Sequence, residues 1–412
     1  MSLSDLDAPI DTQTFDLVVA GGGMVGAACA LACAGRGLRI AVVEPRAPER
    51  AWPPGEADLR VSALSRASQR LLARLGVWGR IQTLGASPYR RMCVWDAVGG
   101  GQIRFDSADL GEPDLGHIVE NRVTQLALWE RLEQSADATL VCPAAIAGLE
   151  RGAGTTRLML ADGRQLQARL LVGADGRDSR IRELAGIRTQ GWDYDQRAIV
   201  ATVTPSEWHQ DTAWQRFLPT GPLAFLPLAQ GRCSIVWSAD AERAAELMEL
   251  SDRAFAAELE SAIESRLGRL RLDGPRAAVA LRLQHAEHYV EPGLALIGDA
   301  AHAIHPLAGQ GVNLGFLDAA ALADALDWAL ARRRDIASLQ TLRRYERARR
   351  GENMAMLAAM DGFKRLFGTD NAALAAARSL GLSLTDRLTP LKRRLMEQAL
   401  GLGGGLPTLA RP

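Results

Sequence analysis

The hydrophobic pattern near the start of the chain predicts a strand, a glycine turn and a helix. Residues 17–35 form a stretch of 19 residues without a charge, which is long enough for a membrane span. Glycines at positions 21, 22, 23 and 26 interrupt this stretch, and the residues before it are acidic rather than basic. We therefore expect a strand at 15–20, an Ala-rich helix at 24–34 and a second strand at 39–43, which together make a βαβ unit.

The remainder of the chain passes from mixed to β-rich and then to helical patterns. Amphipathic helices are predicted at 65–75 and 123–134, and a hairpin is predicted to turn at Asp162-Gly163. Between 198 and 238, β-rich runs alternate with Pro and Gly turns, which indicates an antiparallel sheet. A buried strand returns at 294–297, and the pattern is helical from Gly311 almost to the end.

These patterns predict an α/β fold with a Rossmann-like domain, a domain built on an antiparallel sheet, and C-terminal helices. The Rossmann-like domain is expected to be discontinuous, because strand patterns typical of it recur after the β-rich part. The expected division is 1–85, 116–190 and 289–330 for the Rossmann-like domain, 86–115 and 191–288 for the antiparallel domain, and 331–412 for the helical region.

Charge and cysteine content exclude some classes of function. Lys+Arg and Asp+Glu both number 48 in the 412 residues, so no overall charge would attract nucleic acid. The five cysteines include no Cys-x-x-Cys pair, and we therefore expect neither a disulfide framework nor a zinc site. With no second candidate span, the sequence predicts a cytoplasmic protein without a metal centre.

The first chemical motif is Gly21-x-Gly23-x-x-Gly26, followed by Glu44 at the end of the second predicted strand. Gly21 permits a tight turn, Gly23 lets the backbone approach a pyrophosphate, and Gly26 allows the helix to pack closely on the strand. The helix N-terminus then offers free N–H groups to the phosphates, and the carboxylate of Glu44 can hold ribose hydroxyls. This combination predicts a dinucleotide site.

A second motif, nearly 280 residues later, favours FAD over NAD. Gly298-Asp299 ends a predicted strand, and a Gly-rich turn at 305–315 leads into a helix. Asp299 can bind a ribityl chain, and the helix start can direct its dipole at a flavin ring. A third motif after a strand, at 173–182, contains Asp175. It suits a cofactor contact, but it is also typical of a plain strand-to-helix turn with an Asp cap.

Residues 298–318 resemble the signature of the ubiquinone-biosynthesis aromatic hydroxylases, which are class A flavoprotein monooxygenases similar in fold to p-hydroxybenzoate hydroxylase. The resemblance covers nearly the whole chain, and 58–65 resembles the family loop that places an arginine over the flavin. The stretches 115–121, 233–238 and 343–347 resemble the bacterial 2-polyprenylphenol 6-hydroxylases most.

The resemblance implies roles for individual positions. The predicted catalytic residues are Arg60, against the pyrophosphate or isoalloxazine, and Pro306, beside the reactive ring face. Asn121 is the implied polar flavin contact, with Arg122 as the alternative if the register shifts by one residue. The full set of predicted FAD-binding residues is Gly21, Gly23, Val25, Gly26, Glu44, Arg60, Ser62, Asn121, Asp175, Asp299, Gly309, Gln310, Gly311, Val312 and Asn313.

The resemblance also implies the reaction. NAD(P)H reduces FAD, O2 adds at C4a, and the flavin hydroperoxide hydroxylates a polyprenylphenol ring, with the first ring hydroxylation as the expected step. A later ring hydroxylation, or a flavin-binding assembly subunit without turnover, is the alternative. His302 and His305 are weak candidates for a general base, and a structural hydrogen-bonding role suits His302 better. Apolar residues expected to face the substrate, or else to form the sheet's own core, are Trp214, Phe217, Phe225, Leu226 and Trp237.

The C-terminal region carries a local excess of positive charge. Residues 331–395 contain 15 basic and 6 acidic residues, a net charge of +9, interleaved with Leu, Met and Phe at helical spacing. This pattern is typical of peripheral contact with an anionic inner membrane, where a polyprenyl substrate resides, but also of solvated helix faces or an oligomer interface. We expect a homo-oligomer, and the resemblance implies association with other ubiquinone-biosynthesis proteins.

Overall fold

The computed structural model describes residues 12–303 except 54 and 153, and residues 311–412 except 368–371, 402 and 404. Its strands are β1 (Thr12–Ala20), β2 (Ile40–Val43), β3 (Val61–Leu64), β4 (Ser87–Tyr89), β5 (Arg91–Asp96), β6 (Gln102–Asp106), β7 (Gly116–Glu120), β8 (Ala138–Val141), β9 (Ile146–Gly152), β10 (Thr155–Leu160), β11 (Gln165–Gly173), β12 (Thr189–Pro205), β13 (Thr212–Leu218), β14 (Gly221–Pro227), β15 (Cys233–Asp240), β16 (Leu270–Ala286), β17 (Val290–Glu291), β18 (Leu294–Leu296) and β19 (His302–Ala303). Its α-helices are α1 (Met24–Cys33), α2 (Arg66–Arg74), α3 (Trp78–Gly85), α4 (Asn121–Glu133), α5 (Arg180–Leu184), α6 (Ala241–Glu249), α7 (Asp252–Ala262), α8 (Gly311–Leu330), α9 (Leu339–Phe367), α10 (Ala372–Arg387) and α11 (Thr389–Ala399).

The first large sheet has the order β17-β18-β11-β1-β2-β8, and the neighbours from β18 to β8 run parallel. Strand β1 has no polar residue between Leu17 and Ala20, and all four of these residues are fully buried, as expected of a parallel strand covered on both faces. Helix α1 consists largely of Ala and Cys, so it can pack closely against β1, α4 and α8. The uncharged stretch therefore lies at the centre of the hydrophobic core. No helix within the described residues has the length and hydropathy to cross a bilayer.

The second large sheet has the order β19-β16-β12-β15-β14-β13-β5-β6 and is antiparallel except for the β13–β5 pair. Its two longest strands, β12 and β16, each have 17 residues and pair with each other. Their register shifts between Asp193 and Gln196 and between Ala201 and Val203. Helices α6 and α7 cover one face. A small sheet, β3-β7-β4, lies near the opposite face, where Ala63 and Ile118 share a cluster with Leu226.

The predicted α/β fold class is confirmed, and most predicted elements lie within three residues of the observed ones. The helix expected at 65–75 is α2, capped by the Ser65 hydroxyl, which accepts from the Ser68 amide. The sequence did not predict β16. It also placed residues 289–330 wholly in the Rossmann-like domain, whereas β19 pairs with β16 at the edge of the second sheet. We propose the same division otherwise, because each large sheet draws its other strands from the expected segments.

A buried ion pair attaches helix α10 to the edge of the second sheet. Arg378 donates two hydrogen bonds, of 2.9 and 3.0 Å, to the carboxylate of Asp96, and both side chains are almost fully buried. The Ser379 hydroxyl adds a third donor at 3.0 Å. Nearby, a Cβ on Gly101 would lie only 2.5 Å from the Ser379 backbone, so this close approach requires glycine.

Candidate functional site

The predicted cofactor motifs meet at one edge of the first sheet. Because β1, β2, β11 and β18 are parallel, their carboxyl ends lie side by side. Gly21 follows β1, and Glu44 follows β2. Asp175 lies two residues after β11, and Asp299 lies three residues after β18. This edge is where open α/β sheets bind their ligands. Motifs separated by nearly 280 residues in the sequence are thus brought to a single location.

Among the glycines of this motif, only Gly23 has free space around it, and this is where a phosphate would approach. Gly21 has φ +105°, and a Cβ there would lie 2.4 Å from the carbonyl oxygen of Ala174. A Cβ on Gly26 would lie 1.9 Å from the carbonyl oxygen of Gly21. By contrast, a Cβ on Gly23 would meet no atom within 4 Å. Gly23 is also the N-cap of α1, and no side chain caps this helix, so its first N–H groups remain available to an anion.

Glu44 and Trp129 hold the glycine turn from two sides. The Gly22 amide donates to Glu44 Oε2 at 2.7 Å, and the Arg46 amide donates to Glu44 Oε1 at 3.2 Å. Each carboxylate oxygen can accept a further hydrogen bond, so Glu44 retains capacity for ribose hydroxyls. The indole of the buried Trp129 donates to the Gly22 carbonyl at 2.6 Å. The sequence does not indicate Trp129, because no local pattern in α4 shows which of its side chains contacts a turn 107 residues away.

Asp299 lies beside the first turn of α1. Gly298 has φ +57°, and a Cβ there would lie 3.1 Å from the Val25 side chain, while a Cβ on Gly315 would lie 2.5 Å from it. Val25 therefore packs between the Gly298 turn and the start of α8. Asp299 itself is exposed, and no hydrogen bond to its carboxylate occurs within the described residues. It is thus available to a ligand at this edge.

Arg60, Ser62 and Asn121 come together through the pairing of β3 with β7. The Asn121 amide donates to the Arg60 carbonyl at 2.9 Å, and the Ser62 hydroxyl donates to Asn121 Oδ1 at 2.7 Å. The Arg60 side chain is exposed. Arg122, the alternative to Asn121, instead donates to Glu120 at 2.8 Å and has its guanidinium over a Trp ring at 4.4 Å. Asn121 therefore lies with the other predicted residues, and Arg122 does not.

Other predicted residues have side chains that serve the protein itself. The Asp175 carboxylate accepts from the Ser179 hydroxyl at 2.5 Å and from the Ile181 amide at 3.0 Å, so it caps α5. The Asn313 side chain is buried and bridges the Ala63 carbonyl, the Ser65 amide and the Ser68 hydroxyl. These contacts favour a structural role for both side chains. Gly311 and Val312 begin α8, whereas Pro306, Gly309 and Gln310, with His305, lie outside the described residues.

The predicted substrate residues lie on two opposite faces of the second sheet. Phe225 and Trp237 pack with Phe255 in the core under α6 and α7, and Trp214 borders the same core. Leu226 lies on the other face with Ala63 and Met396. Phe217 stacks on Phe367 of α9, with the ring centroids 3.9 Å apart. Because side chains alternate along a strand, these residues do not line one common pocket, and the substrate role assigned to each stays a prediction.

Beneath the Gly298 turn lies a buried polar cluster for which sequence analysis had proposed only a structural His302. Asp318 of α8 is fully buried and contacts His302 Nε2 at 2.5 Å and Arg349 Nε at 3.0 Å. Burial alone would raise the pKa of Asp318, but His302 and Arg349 outweigh this effect and hold the pKa at about 2. Burial, with a contribution from His302, lowers the pKa of the neighbouring His285 to about 4.

The arrangement fits the ADP half and the ribityl chain of FAD. A pyrophosphate fits the open space at Gly23 and the uncapped N-terminus of α1. Glu44 suits the adenosine ribose, and the exposed Asp299 suits the ribityl hydroxyls. Arg182 strengthens this edge, because it donates to the Ala300 carbonyl at 2.9 Å and so joins the motif at 173–182 to the Gly298 turn.

Comparison with known proteins identifies the class. Residues 14–359 match the family described as the FAD binding domain. The chain has the fold of p-nitrophenol 4-monooxygenase PnpA from Pseudomonas putida, with a TM-score of 0.77 at 19% identity over 95% of this chain and 99% of that one. It also has the fold of Klebsiella pneumoniae HpxO complexed with FAD and uric acid, with a TM-score of 0.72 at 18% identity over 95% and 97%. The class is therefore that of FAD-binding proteins that share the fold of these two structures.

Curated relatives narrow this class to one family. The chain is 41% identical to 3-demethoxyubiquinol 3-hydroxylase of Escherichia coli (strain K12) over 392 residues, 95% of this chain and 99% of that protein. It is 40% identical to the ubiquinone hydroxylase UbiL of Rhodospirillum rubrum, over 96% of this chain and 92% of that protein. It is 38% identical to human ubiquinone biosynthesis monooxygenase COQ6, over 94% and 93%. The chain belongs to the ubiquinone-biosynthesis FAD-dependent hydroxylase family, as the sequence resemblance had implied.

The spaces around Gly23 and Gly26 predict that alanine has different effects at the two positions. Gly23→Ala should leave the apoprotein as stable as wild type, yet weaken FAD binding by about tenfold, because its methyl group occupies the approach to the pyrophosphate. Gly26→Ala should instead destabilise the apoprotein by about 2–3 kcal/mol through overpacking. Thermal unfolding of the apoproteins and fluorescence titration with FAD measure both effects. Wild-type FAD affinity in Gly23→Ala would place the pyrophosphate elsewhere.

Proposed function

We propose that the protein hydroxylates the aromatic ring of a polyprenylphenol on the route to ubiquinone, with NAD(P)H as electron donor and O2 as oxygen source. The observation that carries this proposal is the convergence of the glycine turn, Glu44 and Asp299 at the carboxyl edge of the first sheet, in a chain whose relatives bear ubiquinone hydroxylase names. Bound FAD supplies the oxygen chemistry, and the chain supplies binding, orientation and exclusion of water.

The geometry of several described residues supports the following division of this task. The N-terminus of α1 and Gly23 would hold the pyrophosphate, Glu44 the adenosine ribose, and Asp299 the ribityl chain. The backbone of Arg60 bonds to that of Asn121, and its exposed side chain would contact the bound flavin. The second sheet joins this site through β19, only three residues after Asp299. A substrate ring held between this sheet and the flavin would be shielded from water.

Turnover distinguishes a hydroxylase from an assembly subunit that binds FAD without catalysis. We expect the full-length, FAD-loaded protein to oxidise NAD(P)H faster when a detergent-dispersed polyprenylphenol is added, and to form a product that is heavier by one oxygen atom. An alkyl benzene without the hydroxyl group is the control, because its ring lacks the electron density that electrophilic oxygenation requires. The measurements are absorbance of NAD(P)H and mass spectrometry of the extract. Tight FAD binding without stimulation by the phenol would support the assembly role instead.

The position of the hydroxylated ring carbon forms a separate question. Sequence analysis predicted the first ring hydroxylation, whereas the name of the Escherichia coli relative favours carbon 3 of demethoxyubiquinol, a later step. We propose the later step, because the alignment with this relative, at 41% identity, covers 99% of its length. Deletion of the gene should then accumulate a quinone precursor that already carries the first ring hydroxyl, as identified by mass spectrometry. A precursor without that hydroxyl would restore the first hydroxylation.

The C-terminal helices suggest how the protein reaches a substrate with a polyprenyl tail. Five leucines of α10, α11 and their junction form an exposed apolar surface, here called the leucine face. They are Leu380 (60% exposed), Leu384 (46%), Leu388 (52%), Leu391 (45%) and Leu395 (44%). Arg387 and Arg394 are exposed beside them and have no ion-pair partner within the described residues. An apolar face bordered by free cations matches an anionic lipid surface, where association with other ubiquinone-biosynthesis proteins would also be favoured.

This proposal predicts lipid binding that depends on the leucine face. The wild-type protein should float with vesicles of phosphatidylglycerol and phosphatidylcholine, and less with vesicles of phosphatidylcholine alone. The double variant Leu384→Ser/Leu391→Ser should lose most of this binding, because two apolar anchors are removed. Trp208→Ser/Val279→Ser is the control, since these exposed apolar residues belong to the loop after β12 and to β16 rather than to α10 or α11. If the wild-type protein did not float, lipid binding through the leucine face would be wrong. Dimers that only the leucine variant abolishes would indicate an interface between copies instead.

A further inference from the structure

The carboxylate of Asp318 contacts four polar groups from two parts of the chain, residues 298–302 and helix α9. Oδ2 accepts from the Gly298 amide at 3.0 Å and contacts His302 Nε2 at 2.5 Å. Oδ1 accepts from Arg349 Nε at 3.0 Å and from Asn353 Nδ2 at 3.1 Å. All four acceptor directions of the carboxylate are thereby used, and Asp318 has no exposed surface.

The position of these donors connects the cluster to the cofactor site. Gly298 is the residue just before Asp299, so the hydrogen bond from its amide lets Asp318 hold the backbone that carries the predicted ribityl ligand. His302 lies in β19, the edge strand through which the second sheet joins the site. One side chain therefore sets the spacing between Asp299 and the second sheet. Arg349 and Asn353 of α9 contact Asp318 from the opposite side and prevent its side chain from turning away.

We propose that Asp318 is a positioning residue, which holds Asp299 and β19 in the relative placement that FAD binding and coupled hydroxylation require. It does not contact the reacting atoms. Its effect passes through the Gly298 amide on one side and through His302 on the other. Stability of the fold alone does not demand a buried carboxylate here, because buried ion pairs contribute little net free energy compared with apolar packing. Positional specificity is what this arrangement supplies.

Asp318→Asn tests the proposal, with Asp96→Asn as the matched control. Both carboxylates are fully buried and paired with a buried arginine, but Asp96 lies in β5 and contacts α10 rather than the cofactor edge. An amide oxygen cannot accept from all four donors around Asp318, so Gly298 and His302 should shift. We expect Asp318→Asn to weaken FAD binding by about tenfold, to shift the visible absorption bands of bound flavin, and to divert more NAD(P)H electrons to hydrogen peroxide.

The control separates positioning from general destabilisation. Asp96→Asn should lower the thermal unfolding temperature of the apoprotein to a similar extent, while FAD affinity stays within about twofold of wild type and the flavin spectrum is unchanged. Equal losses of FAD affinity in the two variants would overturn the proposal, as would an Asp318→Asn protein with the wild-type spectrum, affinity and coupling. Binding of FAD by the wild-type protein, measured first, makes this outcome distinct from failure of the FAD assignment.

A milder variant keeps the test decisive if Asp318→Asn does not fold. His302→Asn keeps a polar side chain, but its amide nitrogen reaches only as far as Nδ1, so the contact that His302 Nε2 makes with Asp318 is lost. Because Gly298 remains held, FAD affinity should change by less than in Asp318→Asn, whereas the fraction of electrons lost to hydrogen peroxide should still rise. His288→Asn is the control, since His288 bonds to Glu291 on the surface. Unchanged coupling in His302→Asn would contradict the proposed role of the His302 contact.

Discussion

The close contact between α1 and β1 is the constraint on which the site depends. A single methyl group at Gly26 would lie 1.9 Å from the carbonyl oxygen of Gly21, so the helix can lie this close to the strand only with glycine there. The same approach directs the N-terminus of α1 toward the space above Gly23 and brings Gly21 against Ala174 after β11. Two neighbouring loops of the sheet are thereby fixed relative to one helix dipole, which is the geometry a pyrophosphate requires. If this contact loosened, the loop after β1, the loop after β11 and the N-terminus of α1 would all be displaced.

Local sequence was sufficient for the parts of the site that obey local rules. The glycine spacing, the carboxylate at the end of β2 and the later Gly298-Asp299 turn could be identified because each follows a strand and precedes a turn or helix. Convergence on one sheet edge also followed, since parallel strands place their carboxyl ends together. The α/β fold class rested on the same strand and helix periodicities, and it was confirmed.

What sequence could not supply were contacts between distant segments and the facing of individual side chains. Trp129 reaches Gly22 across 107 positions, and Asp318 reaches Arg349 across 31, and neither distance leaves a periodic signal. Phe225 and Leu226 are adjacent and both apolar, yet they face opposite sides of β14. Only the register of the sheet decides which of them faces α7, and pattern cannot fix register when both faces are buried. The same limit applies to Asp175, whose carboxylate serves as a helix cap rather than as a free ligand.

Two buried carboxylates lie near the middle and near the C-terminal end of α9, and this arrangement relates the two large sheets. Near its middle, α9 supplies Arg349 to Asp318, at the edge of the first sheet. At its end, the carbonyls of Leu366 and Phe367 accept from Arg378, which also binds Asp96 in the second sheet. Arg349 and Phe367 are 18 positions apart, which corresponds to about 27 Å at the rise of an α-helix. Because buried ion pairs add little net stability, we infer that these two mainly fix the relative positions of the segments they join. Helix α9 thus connects the second sheet to the cofactor edge and fixes their relative position. The leucine face of α10 and α11, which follow α9 in the chain, stays exposed.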